Sequence, residues 1–499
     1  MEFLVTPWAH QLQALDRTKG KDYFGLFFEV GTGKTATAIS ILRQKMSEEK
    51  RLLRTLIVCP PIVINNWVKE FRMHSKLKNS DIMPLIGPGW GRRNALLNSV
   101  EYPKVYIINY EGLLMPGVFE VLQQMKIDCM ILDESHRIRN PKTKKFKAVV
   151  TLSKNIKYRF LLTGTPILNS ALDIFAQIRI LDQGLSFGSN YYVFRNQYFT
   201  DVNTLKKGKS ANIYNFSDWR IKEGAYEQIS AVISPHVMYV KKEECLDLPP
   251  LIRKTLEIDL SPLQRHHYEQ MKKDFITYMA GGACVANMAM IKAMRLMQIV
   301  SGFMPVEIED GTSSIVRFEP CPRAAALYDL LESLITSHKV IVWACYKENY
   351  RTIRGVLEKL GTRWCEIHGD ISPSDKDLSV ERFNTDDSYR VLIGNPQAAG
   401  IGINLTAASY SVYFSRNFSL EQDLQSEARN YRGGSEIHQK ITRIDLVARN
   451  TIDELIRKKL EEKVQIGDKI LGDLANILDQ GLKDPVYEES LKEEPVDRT

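Results

Sequence analysis

Short apolar runs recur along the chain, separated by longer polar or amphipathic stretches, and this alternation predicts strands joined by helices. Tyr23 to Phe28 reads as a buried strand and Ala36 to Leu42 as a helix. TLIVCP (55–60), KVYIINY (104–110), CMILDE (129–134) and RFLLTGTP (159–166) follow at strand-helix intervals. A second set comprises KVIVWACY (339–346), RWCEIHGD (363–370), RVLIGN (390–395), SYSVYFS (409–415) and KITRIDLV (440–447). Such alternation predicts two parallel α/β sheets with ligands at the carboxyl ends of their strands.

From about Ser170 to Arg323 the pattern changes to long helical stretches with few strand signals. One helix begins at Ser261, with Pro262 in the first turn and Gln264 three residues after the cap. The proline pair in VKKEECLDLPPLIRKTLEIDL (240–260) marks the expected crossing between the two sets. Thr451 with Glu454 forms a second capping box and starts a C-terminal helix placed to brace the assembly.

At 499 residues the chain exceeds one ordinary core, so two or three domains are expected. It is 44% hydrophobic and 25% charged, with no apolar run of membrane-spanning length and no signal pattern in MEFLVTPWAH. The expected location is cytosolic or nucleoplasmic, without a membrane partner. Seven cysteines occur without a CxxC pair and read as reduced core thiols, and the adjacent His266 and His267 lack ligand spacing. No zinc is therefore expected.

A net charge of +7 is weak evidence for an anionic partner, but the basic residues are unevenly spread. Nine Lys or Arg residues and no acid lie between Ser135 and Leu172. Such a run is commonly a solvated face; here it starts beside acidic candidates for catalysis. Asp484 to Asp497 is acidic, carries two prolines and reads as a flexible tail.

Chemistry concentrates at the predicted strand ends. In FEVGTGKT, Gly31, Thr32 and Gly33 turn from strand to helix, where backbone N–H groups can hold phosphate oxygens. Lys34 is placed to reach the β and γ phosphates, and Thr35 to coordinate Mg²⁺. Phe28 occupies the place of the first glycine of the general phosphate-loop pattern, and a ligand-free Gly-rich turn is the alternative.

Asp133 and Glu134 follow an apolar strand and suit a Mg²⁺ ligand and a base for the attacking water, against the alternative of an exposed acidic turn. His136 beside them, and Thr163 and Thr165 in LLTGTP, are candidates for coupling the lobes. Gln425, Arg429 and Arg432 are spaced by four and three, which predicts one helical face and an arginine finger donated by the second lobe.

The order of these motifs resembles superfamily two helicases, and within them the Swi/Snf-type double-stranded DNA translocases, over roughly Thr6 to Val464. PWAHQLQAL resembles the opening motif, which implies that Gln11 contacts adenine. FEVGTGKT is similar to the family's phosphate loop, in which Glu precedes Gly-x-Gly-Lys-Thr and the first glycine is absent. LIVCPPIVINNWVKEF, with Trp67 and Glu70 in register, INYEGL, DESHRIRNPKTKKFKA, KEECLDLPP, AAGIGINLTAASYSVYF and TIDELI match further motifs in order. The chain departs from the pattern at Pro396 to Gly400, which lacks the usual small hydroxyl residue before its glycines, at Ser415 where aspartate is common, at RNFS (416–419) and at Gly433-Gly434-Ser435. These departures set the chain apart from the eukaryotic remodellers proper, and its small size with no visible accessory domain points to a compact bacterial or viral form, expected in a bacterial or infected-host cytoplasm.

The resemblance implies two RecA-like parallel-sheet lobes, helical insertions and a bracing helix. The expected division is 1–169 and 323–450 for the lobes, 170–248 and 249–322 for the insertions and junction, 451–480 for the brace and 481–499 for the tail. It implies an ATP- and Mg²⁺-dependent DNA motor, with Gly402 also at the nucleotide. Asn109, Arg137, Arg139, Lys142, Asn404 and Thr406 are expected on the phosphate backbone of double-stranded DNA, and a recruiting protein is a further possible partner. A strand-separating or branch-migrating helicase, and a DNA-binding module with a vestigial ATP site, are the alternatives.

Overall fold

In the computed structural model, residues 3–99, 104–202, 219–280, 286–307, 313–398 and 403–481 are described. The first lobe carries β1 (Tyr23–Phe28), β2 (Thr55–Cys59), β3 (Ile82–Pro84), β4 (Val105–Asn109), β5 (Cys129–Asp133) and β6 (Tyr158–Leu162). A short antiparallel pair, β7 (Phe199–Asp201) and β8 (Trp219–Ile221), precedes β9 (Val237–Val240). The sheet order is β3-β4-β2-β5-β6-β1-β9, parallel throughout. Every residue of β2, β4, β5 and β6 is buried, because helices cover both faces and leave no room for alternating polar positions. Two apolar clusters result, one on each side of the sheet.

The second sheet is built from β10 (Leu251–Ile258), β13 (Val340–Trp343), β14 (Arg363–Ile367), β15 (Tyr389–Gly394), β16 (Tyr410–Tyr413) and β17 (Ile441–Ala448), while β11 (Phe303–Glu307) and β12 (Ser313–Arg317) pair with each other. Its order is β10-β17-β16-β13-β15-β14, again parallel. Two α/β lobes with helical insertions are therefore present, as the alternation predicts.

The region between the two strand sets is less purely helical than its pattern suggests. β9 completes the first sheet and β10 the second, so this segment supplies an edge strand to each lobe. β10, LIRKTLEI, is largely exposed, so its side chains need not be apolar. The helix Pro262–Ala280 starts as expected: Gln264 N–H donates to Ser261 Oγ (3.3 Å) and Ser261 N–H to Gln264 Oε1 (3.4 Å).

The last helix, Ile452–Gly481, forms where expected but with a different cap. Thr451 Oγ accepts from Asp453 N–H (3.2 Å), while the Glu454 carboxylate accepts from Asn450 N–H (2.9 Å). Ile456 and Leu460 pack in a cluster that also holds Leu168 of the first lobe and Leu420 of the second. Ile466 packs against the first lobe's core, so one helix touches both lobes. Among the described residues no helix is long and apolar enough to cross a membrane, and no group of three or more His, Cys, Asp or Glu is placed to hold a metal ion.

Candidate nucleotide site between the lobes

β1 ends at Phe28 and the helix Lys34–Glu49 begins six residues later. Gly31 (φ 93°) and Gly33 (φ 77°) make the reversal in a backbone region that side-chain-bearing residues rarely adopt. A Cβ on Gly33 would stand 2.3 Å from Gln11 Nε2. The loop is tied from within: Thr32 Oγ donates to Glu29 C=O (2.7 Å), and His10 Nε2 lies 2.9 Å from Thr32 O. Gln11 accepts from Trp8 N–H (2.8 Å) and donates to Gly33 C=O (3.3 Å). The Lys34 ammonium donates to Phe28 C=O (2.8 Å) and Glu29 C=O (3.0 Å). Burial lowers its pKa, against the opposing pull of Glu134, Asp133 and Glu29.

At the end of β5 the Asp133 carboxylate accepts from Trp67 Nε1–H (2.9 Å) and from Glu134 N–H (3.0 Å). Burial, and then the neighbouring Glu134 charge, push its pKa up to about 6, while Trp67 and Lys34 pull the other way. Glu134 has φ 50°, which for a residue with a side chain costs on the order of 1–3 kcal/mol. That turn aims consecutive side chains apart. Ser135 Oγ donates to Gln177 Oε1 (2.7 Å), and Gln177 Nε2 to Pro166 C=O (2.6 Å). His136 Nδ1 lies 3.0 Å from Thr163 Oγ1, and Thr165 N–H donates to the same hydroxyl (3.1 Å). The acidic box and LLTGTP are thus fastened by two separate routes.

The second lobe approaches through the helix Leu420–Glu427, capped by Ser419 Oγ accepting from Gln422 N–H (3.3 Å). The helix ends at Glu427, which corrects the expectation of a single helical face: Gln425 is helical, whereas Arg429 and Arg432 lie in the following turn. Asn430 Nδ2, donating to Ala408 C=O (3.2 Å), and Arg429 C=O, accepting from Leu405 N–H (3.0 Å), hold that turn on the loop that leads into β16. Both arginines still reach the cleft. Burial, and then Arg432, lower the Arg429 pKa to about 9, and Arg432 Nε is buried without a hydrogen-bond partner.

Gln11, Gly31, Gly33, Lys34, Thr35, Asp133, Glu134, Arg429 and Arg432 line one cavity of about 390 Å³, also bordered by Trp8, Trp67 and Glu70. Thr32 is buried behind its wall, and Gly402 lies outside the described residues. A second hollow, of about 560 Å³, is lined by Arg137, Arg139, Lys142, Asn169 and Tyr191. Asn109, Asn404 and Thr406 line neither. Asn109 is buried and turned inward: it accepts from Arg92 (2.7 Å) and donates to Glu111 (3.0 Å), so an open contact with a phosphate is not what its side chain makes here. Asn404 is exposed and its Oδ1 accepts from Thr406 N–H (3.2 Å).

Two features were not legible beforehand. Trp67 is readable as part of a motif but not as the donor to Asp133, a pairing 66 residues apart. Glu421 lies 3.1 Å from His136 Nε2 and 3.8 Å from Arg137, yet in sequence it is only an acid in a helix's first turn, where the helix dipole alone favours one.

Residues 19–302 match the SNF2-related domain, and residues 323–434 match the helicase conserved C-terminal domain. The chain is 24% identical over 509 residues to the CHD3-type chromatin-remodeling factor PICKLE of Arabidopsis thaliana, covering 95% of this chain and 34% of that protein. It is 25% identical over 493 residues to the TATA-binding protein-associated factor mot1 of Aspergillus fumigatus, covering 89% and 25%. It therefore spans between a quarter and a third of the length of these relatives. A solved structure, the Sulfolobus solfataricus SWI2/SNF2 ATPase core in complex with dsDNA, aligns at 24% identity with a TM-score of 0.42, covering 95% of this chain and 94% of that one. With the SNF2-related domain alone matching more than half of its residues, the chain belongs to the SNF2-related family and carries the helicase C-terminal domain as its second lobe.

Proposed function

We propose that the chain hydrolyses ATP to move along double-stranded DNA, remodelling DNA or protein–DNA complexes. The observation that carries this is the shared cavity, in which a phosphate loop and acidic pair from one lobe meet Arg429 and Arg432 from the other. The residues present fit a nucleotide and its magnesium ion. Gly33 forms a cradle that a Cβ would fill, Arg432 Nε is a buried donor with no partner, and Thr35 and Asp133 offer the hard oxygen donors that Mg²⁺ takes.

Bound Mg-ATP supplies the phosphoanhydride whose cleavage drives the cycle. The N–H groups of the Gly31–Lys34 turn bind phosphate oxygens, and Lys34 gives up its two carbonyl acceptors to do the same. Thr35 and Asp133 would hold the ion, with Trp67 orienting the carboxylate. Glu134 orients the attacking water and takes its proton on the carboxylate. Arg429 and Arg432 stabilise the charge that develops only when the lobes are together. Gln11 supports the loop at Gly33 and, from the cavity wall, is the proposed contact for adenine.

Arg137, Arg139 and Lys142 around the second hollow are the proposed phosphate contacts, with Asn404 and Thr406 on the other lobe. Such contacts make binding sequence-independent and salt-sensitive. His136, Thr163 and Thr165 form the proposed coupling between hydrolysis and lobe movement. The proposed division keeps 1–169 and 323–450 as the main bodies of the lobes, with 170–248 and 249–322 each adding an edge strand to one of them and 451–480 as the brace. A compact bacterial or viral form acting in the cytoplasm is the finer part of this reading; the departures at Ser415 and Gly433 to Ser435 bear only on the chain's distance from the eukaryotic remodellers' motif pattern.

Steady-state ATP hydrolysis at fixed low salt, without nucleic acid and with duplex DNA, single-stranded DNA or structured RNA, tests the proposal. Strong stimulation by duplex, abolished in Glu134→Gln while ATP binding persists, is the expected result. Stimulation by single strands or RNA instead would assign the engine to another track.

A further inference from the structure

Glu421 stands at the one place where a second-lobe carboxylate is paired with the acidic box among the described residues. His136 is fully buried and sits between two carboxylates: Nδ1 is 3.4 Å from Glu134 Oε2, and Nε2 is 3.1 Å from Glu421 Oε1. A continuous path therefore runs from the proposed hydrolytic carboxylate, through an imidazole, to the other lobe.

The helix that bears Glu421 is held rigidly. Asp423 and Glu427, on the same helix, both pair with Arg443 of β17 at 2.9 Å, and Arg416 adds a further pair to Asp423 at 2.8 Å. The same helix leads directly into Arg429, whose Nε donates to Gln425 C=O (2.7 Å). Any displacement of Glu421 relative to His136 is thus passed to the arginine turn as a rigid shift. Burial pushes the Glu421 pKa up, but His136 and Arg137 outweigh it and hold the carboxyl at about 2, so it is charged whenever the pair is formed.

We infer that Glu421 is a positioning residue: by clasping His136 and Arg137 across the cleft it sets the arginine turn against the nucleotide site in the closed arrangement. This rests on the ATPase reading above. The clasp also links the nucleic-acid side of the lobe to the cleft, because Arg137 borders the basic hollow as well.

The test uses the full chain and the variants Glu421→Ala, Glu421→Gln, His136→Ala and the Glu421→Ala/His136→Ala pair, each checked for an unchanged melting temperature. Duplex-stimulated kcat and the KM for ATP are measured, together with the radius of gyration from small-angle scattering. Glu421→Ala is expected to lower kcat about ten- to a hundredfold with KM little changed, the scale on which small misplacements act. Glu421→Gln, which keeps the side chain's length and a polar oxygen but removes its charge, is expected to recover only part of the loss. The double variant is expected to be no worse than the worse single one, and Glu421→Ala to expand the chain. A kcat for Glu421→Ala within about twofold of wild type, or fully additive losses, would overturn the inference. A wild-type chain without ATP turnover would overturn the functional reading instead; scattering then decides the clasp, and an unchanged radius in Glu421→Ala would sink it.

Discussion

The indole Nε1–H of Trp67 donates to Asp133 Oδ2 at 2.9 Å, with Trp67 1% and Asp133 8% exposed. A buried carboxylate is thereby held in one orientation by a donor from a different strand-helix unit. Hydrogen bonds to charged groups contribute about 1.5–3 kcal/mol, and losing this one frees the carboxylate to rotate. Trp67→Phe should therefore raise the Mg²⁺ concentration for half-maximal ATP turnover severalfold. Superimposable Mg²⁺ titrations of variant and wild type would remove Trp67 from this role.

Gly33→Ala faces two obstacles, a φ of 77° and a Cβ 2.3 Å from Gln11 Nε2. Affinity for a non-hydrolysable ATP analogue should fall about tenfold or more, since a left-handed conformation alone costs about 1–2 kcal/mol with a side chain. Adding Gln11→Ala should relieve the clash but not the strain, so recovery should be partial. Full recovery in a fluorescence titration would show that strain contributes little.

Arg432 brings an unpartnered, buried Nε to the cavity wall. Arg432→Ala should reduce kcat about a hundredfold or more while the analogue binds within a few-fold of wild type, the pattern for a group acting on transition-state charge. An equal loss in kcat and binding would make it a ground-state contact.

Glu366, far from the cavity, carries a pH signature. Burial pushes its carboxyl up, but bonds from Arg354, His368 and Trp364 outweigh this and hold it at about 2, below the ordinary 4.5. A depressed carboxylate stabilises the fold above its ordinary value and loses that contribution as pH falls toward the folded one. Between about pH 4.5 and about 2 the wild-type melting temperature should fall more steeply than that of Glu366→Gln, which should start lower at neutral pH. Parallel curves in thermal denaturation would contradict the assignment.

The central strands were legible because helices cover both faces of each sheet. A strand such as CMILD then has to be apolar throughout, and the polar residues collect where it emerges, at Asp133 and Glu134. Gly31 and Gly33 were legible for a related reason: a sharp strand-to-helix reversal needs positive φ. β10 was not legible as a strand, since an exposed edge tolerates the charges of LIRKTLEI. The end of the helix at Glu427 was hidden too, because spacings of four and three suit a continuing helix as well as a turn fastened by Asn430 and Leu405. Asn109 lay in a recognisable motif, but its commitment to Arg92 and Glu111 depends on neighbours that pattern cannot supply.

By itself the amino-acid order determined two α/β lobes, a glycine-built strand-to-helix turn, an acidic strand end and a pair of late arginines, all of which follow from local periodicity and turn chemistry. Tertiary structure alone decided which of these meet. Arg429 and Arg432 share a cavity with Lys34 and Asp133, Trp67 orients Asp133, and Glu421 faces His136. The reason is physical: backbone hydrogen bonding and burial act over a few residues and leave a trace in their spacing. A contact between lobes depends on how two finished surfaces dock, and a single acid or indole carries no mark of the partner it will meet.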